Sequence, residues 1–468
     1  MFIIWRKNRY IKEMIGGNRI GELNLELLEL IDEKKFIQVR RVIQEQNVVD
    51  IAEFICESED DPRTVLMFRL LPKEMAAEVF AYLEREQQQR IVEGITDKEL
   101  AGILEELFLD DTVDFIDEMP ASIVKRVIKI SDPDTRRQIN QLLLYPEESA
   151  GSLMTLEFME IDRNWNVKRA IDEVRRQSED KETINLLFVT DEVRRLEGII
   201  SLREILTGKD DEMIGDIMET DIISVKTHDD QADVAEMFKK YDLLSMPVVD
   251  NENRLVGIIT IDDVVDVIEE ETTEDIYKMA AMAPSEDSYM STGAFTLAKN
   301  RVVWLLVLML SSILTGMIIN NYNSALATNV MLAAFMPMLM GTGGNAGSQA
   351  SVSVIRILTL GEIEFKDIFS VIWKEFRVSL ITGSCVSAVN FARIMLTYND
   401  IALATVVSVT LFMVVIAAEF VGCSLPLIAD KLHLDPALMA SPLITTIVDA
   451  LSMLVYFNIA LYLLPGMA

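Results

Sequence analysis

The chain has 468 residues, and its 43 Lys and Arg against 75 Asp and Glu give a formal charge of −32 at pH 7. So acidic a protein lacks the basic surface that displaces counterions from nucleic acid, and we expect no nucleic-acid partner. Two histidines and three scattered cysteines, with no phosphate-binding loop or nucleophile motif, argue against an enzyme and against a disulfide framework.

The charge is divided unevenly along the chain. From Lys299 onwards, eight basic and nine acidic residues nearly cancel, so the preceding 298 residues carry almost all of the negative charge. A front half that repels itself gains compactness by binding cations, which makes cation sensing the first hypothesis. Plain solubility is the alternative that charge alone leaves open.

Residues 20–150 show apolar residues at helical spacing, interrupted by repeated helix-start signals. ITDKELAGILEEL (95–107) and LDDTVDFIDEM (109–119) are amphipathic, and they open with Thr or Asp near the first turn. Short stacked helices of this kind predict an α-helical superhelical N domain. A generic helical adaptor has the same pattern.

Residues 151–267 contain an internal duplication. LLFVTDEVRRLEGIISLREIL (186–206) and SMPVVDNENRLVGIITIDDVV (245–265) align at an offset of 59 residues, and each predicts strand, turn, strand and helix. This pattern resembles an α/β tandem pair of cystathionine-β-synthase-type (CBS) domains.

The two strand-to-helix junctions of this pair resemble the adenosine-ligand site of CBS domains. Ser201 in the first copy and Thr260 in the second are placed to cap the helix, which leaves backbone N–H groups for a phosphate. Asp263, one turn on, is placed to accept from a ribose hydroxyl. ATP or another adenine nucleotide is therefore a candidate ligand, and a capped helix with no ligand is the alternative.

Residues 268–298 begin with an acidic helix that leads towards the first apolar stretch. Glu270 and Glu274 share one face, as do Glu271 and Asp275. Such a connecting helix can carry motion from a sensor to a pore. A solvated connector is the alternative.

Residues 299–468 predict an α-helical membrane domain with five spans. No charge occurs between Arg301 and Arg356, a gap that holds two helices of the roughly 20 residues needed to cross a bilayer. We place the spans near 301–320, 327–349, 376–397, 402–428 and 438–464. Lys and Arg concentrate in the loops of one side, which predicts a multi-pass plasma-membrane protein with a cytoplasmic N-terminus and an external C-terminus.

Three features inside the spans bear on function. Asp449 in span five lies on a polar stripe with Ser441, Thr445 and Ser452, which suits a cation pathway, a proton relay or a helix–helix hydrogen bond. The glycines of PMLMGTGGNAGSQAS (337–351) in span two either open the helix or let another backbone approach it closely. Glu419 in span four is a second intramembrane acid, and the sequence does not define its role.

The order of these parts, together with the motifs PMLMGTGGNAGSQ and DPALMASPLITTIVD (435–449), resembles the MgtE family of magnesium channels from about residue 20 onwards. The resemblance implies a homodimer in the lipid bilayer with a pore between its membrane domains. It also implies that Asp449 binds hydrated Mg²⁺ with help from Asn345 and the backbone near Thr445. The cytoplasmic Mg²⁺ sensor that it implies consists of acidic residues, namely Asp110, Asp111, Asp114, Asp250, Glu270, Glu271, Glu274 and Asp275.

We therefore expect a Mg²⁺-selective channel that imports magnesium and is closed by cytoplasmic Mg²⁺. The alternatives are a transporter of another divalent ion such as Co²⁺, and a membrane-anchored adenylate sensor that conducts nothing. The first 20 or so residues have no counterpart in the family pattern.

Overall fold

A computed structural model describes residues 27–57, 62–117, 119–284, 289, 292–439 and 441–464. The N-terminal residues without a family counterpart lie outside these ranges. Contacts divide the chain into two compact units, residues 1–268 and 269–468.

The first unit begins with the predicted short helices. They are α1 (Phe36–Gln44), α2 (Val48–Glu57), α3 (Pro62–Phe68), α4 (Lys73–Ala81), α5 (Arg85–Gly94), α6 (Asp97–Leu104), α7 (Leu109–Asp117), α8 (Ala121–Ile130) and α9 (Pro133–Leu142). Local sequence sets their starts: Thr96 and Glu99 form a reciprocal capping box at α6, and Asp132 caps α9 ahead of Pro133. The helices share a buried core in which Phe80 and Phe115 pack edge to face.

The duplicated segment folds as two matching small sheets. The first copy contains β1 (Glu160–Asp162), α10 (Val167–Gln177), β2 (Leu186–Thr190), β3 (Leu196–Ser201) and α11 (Leu202–Thr207). After α12 (Ile214–Ile217), the second copy contains β4 (Val225–Lys226), α13 (Gln231–Tyr241), β5 (Ser245–Val249), β6 (Leu255–Thr260) and α14 (Ile261–Met279). In both sheets a parallel strand pair precedes an antiparallel pair. This confirms the α/β CBS pair.

The register of the two sheets repeats at the offset read from the sequence. Leu186 pairs with Ser201 in the first, and Ser245 pairs with Thr260 in the second. The glycine of each GII segment is required by close packing, because a Cβ at Gly198 or Gly257 would overlap a methionine side chain. The helix after β6 runs without a break from Ile261 to Met279, so the connecting helix continues the last helix of the second CBS copy.

The second unit is helical. Its helices are α15 (Ala294–Asn321), α16 (Asn323–Thr328), α17 (Met331–Thr359), α18 (Ile368–Tyr398), α19 (Ile401–Lys431) and α20 (Ser441–Leu463), and short 3₁₀ turns at Phe365–Asp367 and Pro436–Met439 precede α18 and α20. Within the part of the chain that the structure describes, four segments are long and apolar enough to cross a membrane: Ala294–Asn321, Phe365–Tyr398, Ile401–Lys431 and Pro436–Leu463. They correspond to predicted spans one, three, four and five.

Predicted span two corresponds to α17, which has 29 residues. Its Gly, Ser, Asn and Gln residues make it less apolar than the four segments above. Its helix is continuous through the glycine-rich motif, so these glycines do not open it. They permit close packing instead: a Cβ at Gly344 would lie 2.9 Å from Thr445, and one at Gly422 of α19 would overlap the carbonyl oxygen of Gly347.

Candidate cation sites

Six carboxylates of the first unit gather where α7 meets the CBS pair. Asp110 and Asp111 come from the first turn of α7, Glu157 precedes β1, Glu182 precedes β2, and Asp262 and Asp263 begin α14. We call these six residues the interdomain acid cluster. One carboxylate oxygen each from Asp110, Glu157 and Glu182 lies within 4.8 Å of the others, which is close enough for the three to share one metal ion.

Hydrogen bonds to backbone groups and to Thr260 fix the positions of these residues. The N–H of Leu109 donates to Glu157 Oε2 at 3.0 Å, and the N–H of Asp111 donates to Asp110 Oδ1 at 3.0 Å. The N–H of Glu182 donates to the carbonyl oxygen of Glu157 at 2.8 Å. Thr260 Oγ1 donates to Asp263 Oδ2 at 2.8 Å. The acids are therefore held near each other by the fold rather than by mutual attraction.

Burial makes this arrangement electrostatically unfavourable when all six groups are ionised. Burial, and next the charge of Asp111, raises the pKa of Asp110 to about 7. Burial and the nearest acids likewise raise the pKa of Asp111 to about 6, that of Asp263 to about 7 and that of Glu182 to about 8. Glu182 Oε2 is buried and has no hydrogen-bond partner among the described residues. A bound hard cation is one way to relieve this repulsion.

The cluster contains some residues that the sequence singled out and others that it did not. Asp110 and Asp111 were predicted as sensors, and Asp263 was predicted at a nucleotide site but interacts electrostatically with Asp110. Glu157 and Glu182 were missed, because each lies in a connection beside a strand and belongs to no motif. Asp262 was not predicted as a site residue, but it directly precedes Asp263, which was.

Two other predicted sensor residues lie elsewhere on the first unit. Asp114 is exposed on α7. Asp250 lies in the turn after β5, where its Oδ1 accepts from the backbone N–H groups of Glu252 at 2.8 Å and Arg254 at 2.9 Å. Asp191 forms the same bonds in the first copy, to Val193 and Arg195. The aspartate therefore holds the turn in both copies.

The two proposed nucleotide junctions differ in exposure. Ser201 and Glu204 form a capping box at the start of α11, with Ser201 Oγ donating to Glu204 Oε2 at 2.7 Å. Ser201 is half-buried and Glu204 is exposed, whereas in the second copy Thr260, the counterpart of Ser201, is only 5% exposed and Asp263, the counterpart of Glu204, is half-buried. The first junction is thus the more accessible one.

The connecting-helix acids of the second unit are Glu270, Glu271, Glu274 and Asp275. Glu274 pairs with Lys278 one turn on, and Lys278 Nζ also lies 2.7 Å from Asp435 Oδ2. Burial, followed by the charge of Asp435, raises the pKa of Asp275. Part of this acidic group therefore faces the segment that precedes span five.

Within the spans, Asp449 is half-buried, and its Oδ1 has no hydrogen-bond partner among the described residues. Thr445 and Ser452 of the same stripe pack against Gly344 and Gly343 of α17, and Ser452 is only 1% exposed. Asn345, next to these glycines, is exposed. The side chain of Ser441 lies outside the described residues.

Glu419 links two other spans. Its Oε1 accepts a hydrogen bond from Thr382 Oγ1 of α18 at 2.8 Å, and its Oε2 is buried with no hydrogen-bond partner among the described residues. The bond joins α18 to α19.

Comparison with known proteins covers both units. Residues 46–148 match the family described as the MgtE intracellular N domain, residues 150–209 and 214–270 match the CBS domain, and residues 336–459 match MgtE, a divalent cation transporter family. The magnesium transporter MgtE of Thermus thermophilus is 36% identical over 449 residues, which cover 95% of this chain and 99% of that protein. The magnesium transporter MgtE of Bacillus subtilis is 33% identical over 447 residues, which cover 96% and 98%.

Solved structures agree over the first unit. The soluble part of a magnesium transporter is similar with a TM-score of 0.51 at 30% identity, covering 54% of this chain and 99% of that one. The cytosolic domain of the Mg²⁺ channel MgtE in complex with ATP has a TM-score of 0.50 at 35% identity, covering 52% and 99%. The three matching domain types in this order confirm the prediction from the sequence motifs: the chain belongs to the MgtE family of magnesium transporters.

Proposed function

We propose that this protein is a homodimeric Mg²⁺-selective channel of the plasma membrane, which admits magnesium and is closed by cytoplasmic Mg²⁺. Asp449 carries the proposal. A carboxylate within an apolar span costs at least about 2.5–3.5 kcal/mol on insertion scales, so it faces protein, water or an ion. Its Oδ1 lacks a hydrogen-bond partner among the described residues, which leaves it available for a cation or its water.

The surroundings of Asp449 favour a hydrated magnesium ion. Mg²⁺ gives up its water reluctantly and is usually bound through one or two carboxylates plus ordered water. Two-fold symmetry turns one Asp449 into a facing pair, and Asn345 and the backbone near Thr445 add neutral oxygens. Zn²⁺ fits less well, because the spans offer no cluster of His and Cys.

For gating, we assign the sensor to the interdomain acid cluster with Asp114 and Asp250, and to the connecting-helix acids. The repulsion among the buried carboxylates is the physical basis. A bound Mg²⁺ stabilises the arrangement in which the carboxylates lie together. In this arrangement the connecting helix closes the pore. A ligand shifts such an equilibrium by its differential affinity for the two states.

ATP or another adenine nucleotide is the proposed second ligand, with Ser201 at the accessible junction and Thr260 with Asp263 at the other. The ATP-bound cytosolic domain of a 35% identical channel supports this assignment. Membrane orientation follows from the loop charges, with the N-terminus cytoplasmic and the C-terminus outside.

The test is Mg²⁺ flux through the purified protein in liposomes, with the cytoplasmic Mg²⁺ concentration varied. We expect flux that internal Mg²⁺ inhibits, and Asp449→Asn is expected to lower the flux at least about tenfold, a loss of about 1.4 kcal/mol. Thr382→Val, which removes the bond to Glu419, is the matched intramembrane control. Undiminished flux in the Asp449 variant would remove the pore assignment.

The same assay separates the alternatives. Co²⁺ flux that exceeds Mg²⁺ flux at equal concentration indicates a transporter of another divalent ion. Nucleotide binding without flux of any divalent ion indicates a non-conducting adenylate sensor.

A further inference from the structure

Lys278 occupies an unusual position on the connecting helix. Its Nζ lies 2.8 Å from Glu274 Oε2, on the preceding turn of α14, and 2.7 Å from Asp435 Oδ2. The side chains of Lys278, Glu274 and Asp435 are 24%, 33% and 30% exposed, so all three are largely withdrawn from water. A charge-assisted pair is stronger in such surroundings than on an open surface.

Asp435 connects this lysine to span five. Its second oxygen, Oδ1, accepts from the backbone N–H of Ala437 at 2.8 Å and so caps the short turn Pro436–Met439. Ser351 of α17 donates to the carbonyl oxygen of Met439 at 3.0 Å, which holds the far end of the same turn. Lys278 therefore contacts a segment fixed to α17, just before the helix that contains Asp449.

The ammonium group of Lys278 offsets repulsion among the acids around it. Glu274, Asp275 and Asp435 place three acids near one lysine, and Asp435 and Asp275 repel each other. Lys278 contacts both Glu274 and Asp435, two carboxylates that would repel each other without its ammonium group. A tethered cation keeps its effective concentration at every Mg²⁺ level, unlike a dissolved ion.

We propose that Lys278 is a built-in latch, which fastens the connecting helix to the Asp435 turn in the closed channel and lowers the Mg²⁺ concentration needed for closure. This inference rests on the proposed Mg²⁺ gating. The latch and Mg²⁺ favour the same state, so removing one raises the requirement for the other by the coupling factor between them.

The first experiment measures the contact without flux. Full-length protein in lipid nanodiscs is acetylated briefly in Mg²⁺, and mass spectrometry compares Lys278 with Lys299, which is exposed. We expect Lys278 to react at least about fivefold more slowly, because the ion pairs keep its amine charged and shielded. Asp435→Asn keeps the Oδ1 cap but removes the charge, and it should raise the Lys278 rate towards that of Lys299. Equal rates in the parent protein, or no change in this variant, overturn the latch.

The second experiment measures Mg²⁺ inhibition of flux in liposomes. Lys278→Gln is expected to raise the half-inhibitory Mg²⁺ concentration at least about fivefold, within the usual range of coupling between sites. Lys278→Arg should stay close to the parent, and so should the control Lys299→Gln. The double variant Lys278→Gln/Asp435→Asn should be no worse than the more affected single variant, because both changes break one contact.

The outcomes distinguish the two proposals. If internal Mg²⁺ does not inhibit flux through the parent protein, the proposed gating is wrong. The acetylation result still decides whether the contact between Lys278 and Asp435 exists. Slow acetylation combined with an unchanged inhibition curve in Lys278→Gln means that the contact is only structural, and this overturns the latch.

Discussion

Leu109 and Glu157, 48 residues apart, are joined by a hydrogen bond in which the backbone N–H of Leu109 donates to Glu157 Oε2 at 3.0 Å. Leu109 is the first residue of α7, so a side chain from the CBS pair satisfies one of the free N–H groups at this helix start. The positive end of the helix dipole favours a carboxylate there. Asp110 and Asp111 follow directly, and the same contact that fastens α7 therefore brings three acids together.

The first prediction separates the two roles of Glu157, that of a helix cap and that of a cluster charge. Glu157→Gln keeps an oxygen for the Leu109 N–H but removes a charge that repels Asp110 and Asp111. In EDTA we expect a higher apparent Tm than in the parent and a smaller rise on adding Mg²⁺. Glu157→Ala also loses the cap and should be about 1 kcal/mol less stable than Glu157→Gln.

Thermal unfolding of the full chain in detergent measures both effects. Glu192→Gln removes an exposed acid from the turn after β2 and is the control for net charge. A Glu157→Gln protein that responds to EDTA and Mg²⁺ like the Glu192 variant would contradict a specific role in the cluster.

The second prediction concerns pH. The pKa values of Asp110, Asp111, Asp263 and Glu182 are raised to about 7, 6, 7 and 8 from ordinary values of 3.8 for Asp and 4.5 for Glu. The folded cluster therefore binds more protons than the unfolded chain between these limits. Protonation of the cluster stabilises the fold fully below the ordinary pKa values. This contribution is lost as the pH rises from those values through the raised pKa values of about 6 to 8.

In EDTA the apparent Tm of the first unit should therefore fall between about pH 5.5 and 8.5 by at least about 2–4 °C, the shift that about 1 kcal/mol produces in a domain of roughly that length. Saturating Mg²⁺ should flatten the dependence, because the ion replaces the protons. Glu182→Gln should reduce the slope in EDTA. A Tm that rises with pH in EDTA would show that ordinary carboxylates, rather than this cluster, dominate the response.

The sequence predicted the CBS pair closely because the strand, turn and helix pattern occurs twice, once in each copy. The 59-residue offset and the glycine of each GII segment both reappear in the sheet register. The acid cluster was only half predicted. Asp110 and Asp111 lie on a recognisable helix start, but Glu157 and Glu182 join them through long-range packing, which one-dimensional patterns do not encode.

In the membrane unit, the sequence alone could not predict the role of the glycine motif. The glycine motif of α17 is compatible with an opened helix or with close packing, and both readings use the same residues. The choice depends on what lies opposite, namely Thr445 at Gly344 and Gly422 at Gly347. Those partners are about 75–100 residues away along the chain, so only the folded structure distinguishes the two.

The third prediction tests Asp250 as a sensor residue. Asn keeps the Oδ1 acceptor that holds the turn, so Asp250→Asn removes the charge and leaves the bonds to Glu252 and Arg254. Asp191→Asn makes the same change in the same turn of the first copy. We expect Asp250→Asn to raise the Mg²⁺ concentration for half-inhibition of flux about twofold, while Asp191→Asn leaves it unchanged. Equal curves for the two variants would reduce Asp250 to a turn residue.

The fourth prediction concerns the contact between α17 and α19. A Cβ at Gly422 would overlap the carbonyl oxygen of Gly347, and backbone cannot move aside as a side chain can. Gly422→Ala should therefore lower the stability of the membrane unit by about 1–3 kcal/mol, the usual cost of overpacking. A Cβ at Gly347 would lie 2.8 Å from a methyl group of Ile444 and 3.1 Å from the carbonyl oxygen of Ala418, a milder overlap than the 2.2 Å at Gly422, so Gly347→Ala should cost less.

Gly341 lies on the same helix as Gly347 but has open space around it, since a Cβ there meets nothing within 4 Å among the described residues. Gly341→Ala is the matched control and should leave the apparent Tm unchanged or slightly higher, because Ala favours helix over Gly. Thermal unfolding of the purified variants in detergent gives the order of stability. We expect Gly341→Ala above Gly347→Ala and Gly347→Ala above Gly422→Ala. A Gly422→Ala protein as stable as the Gly341 variant would contradict close backbone contact between these two helices.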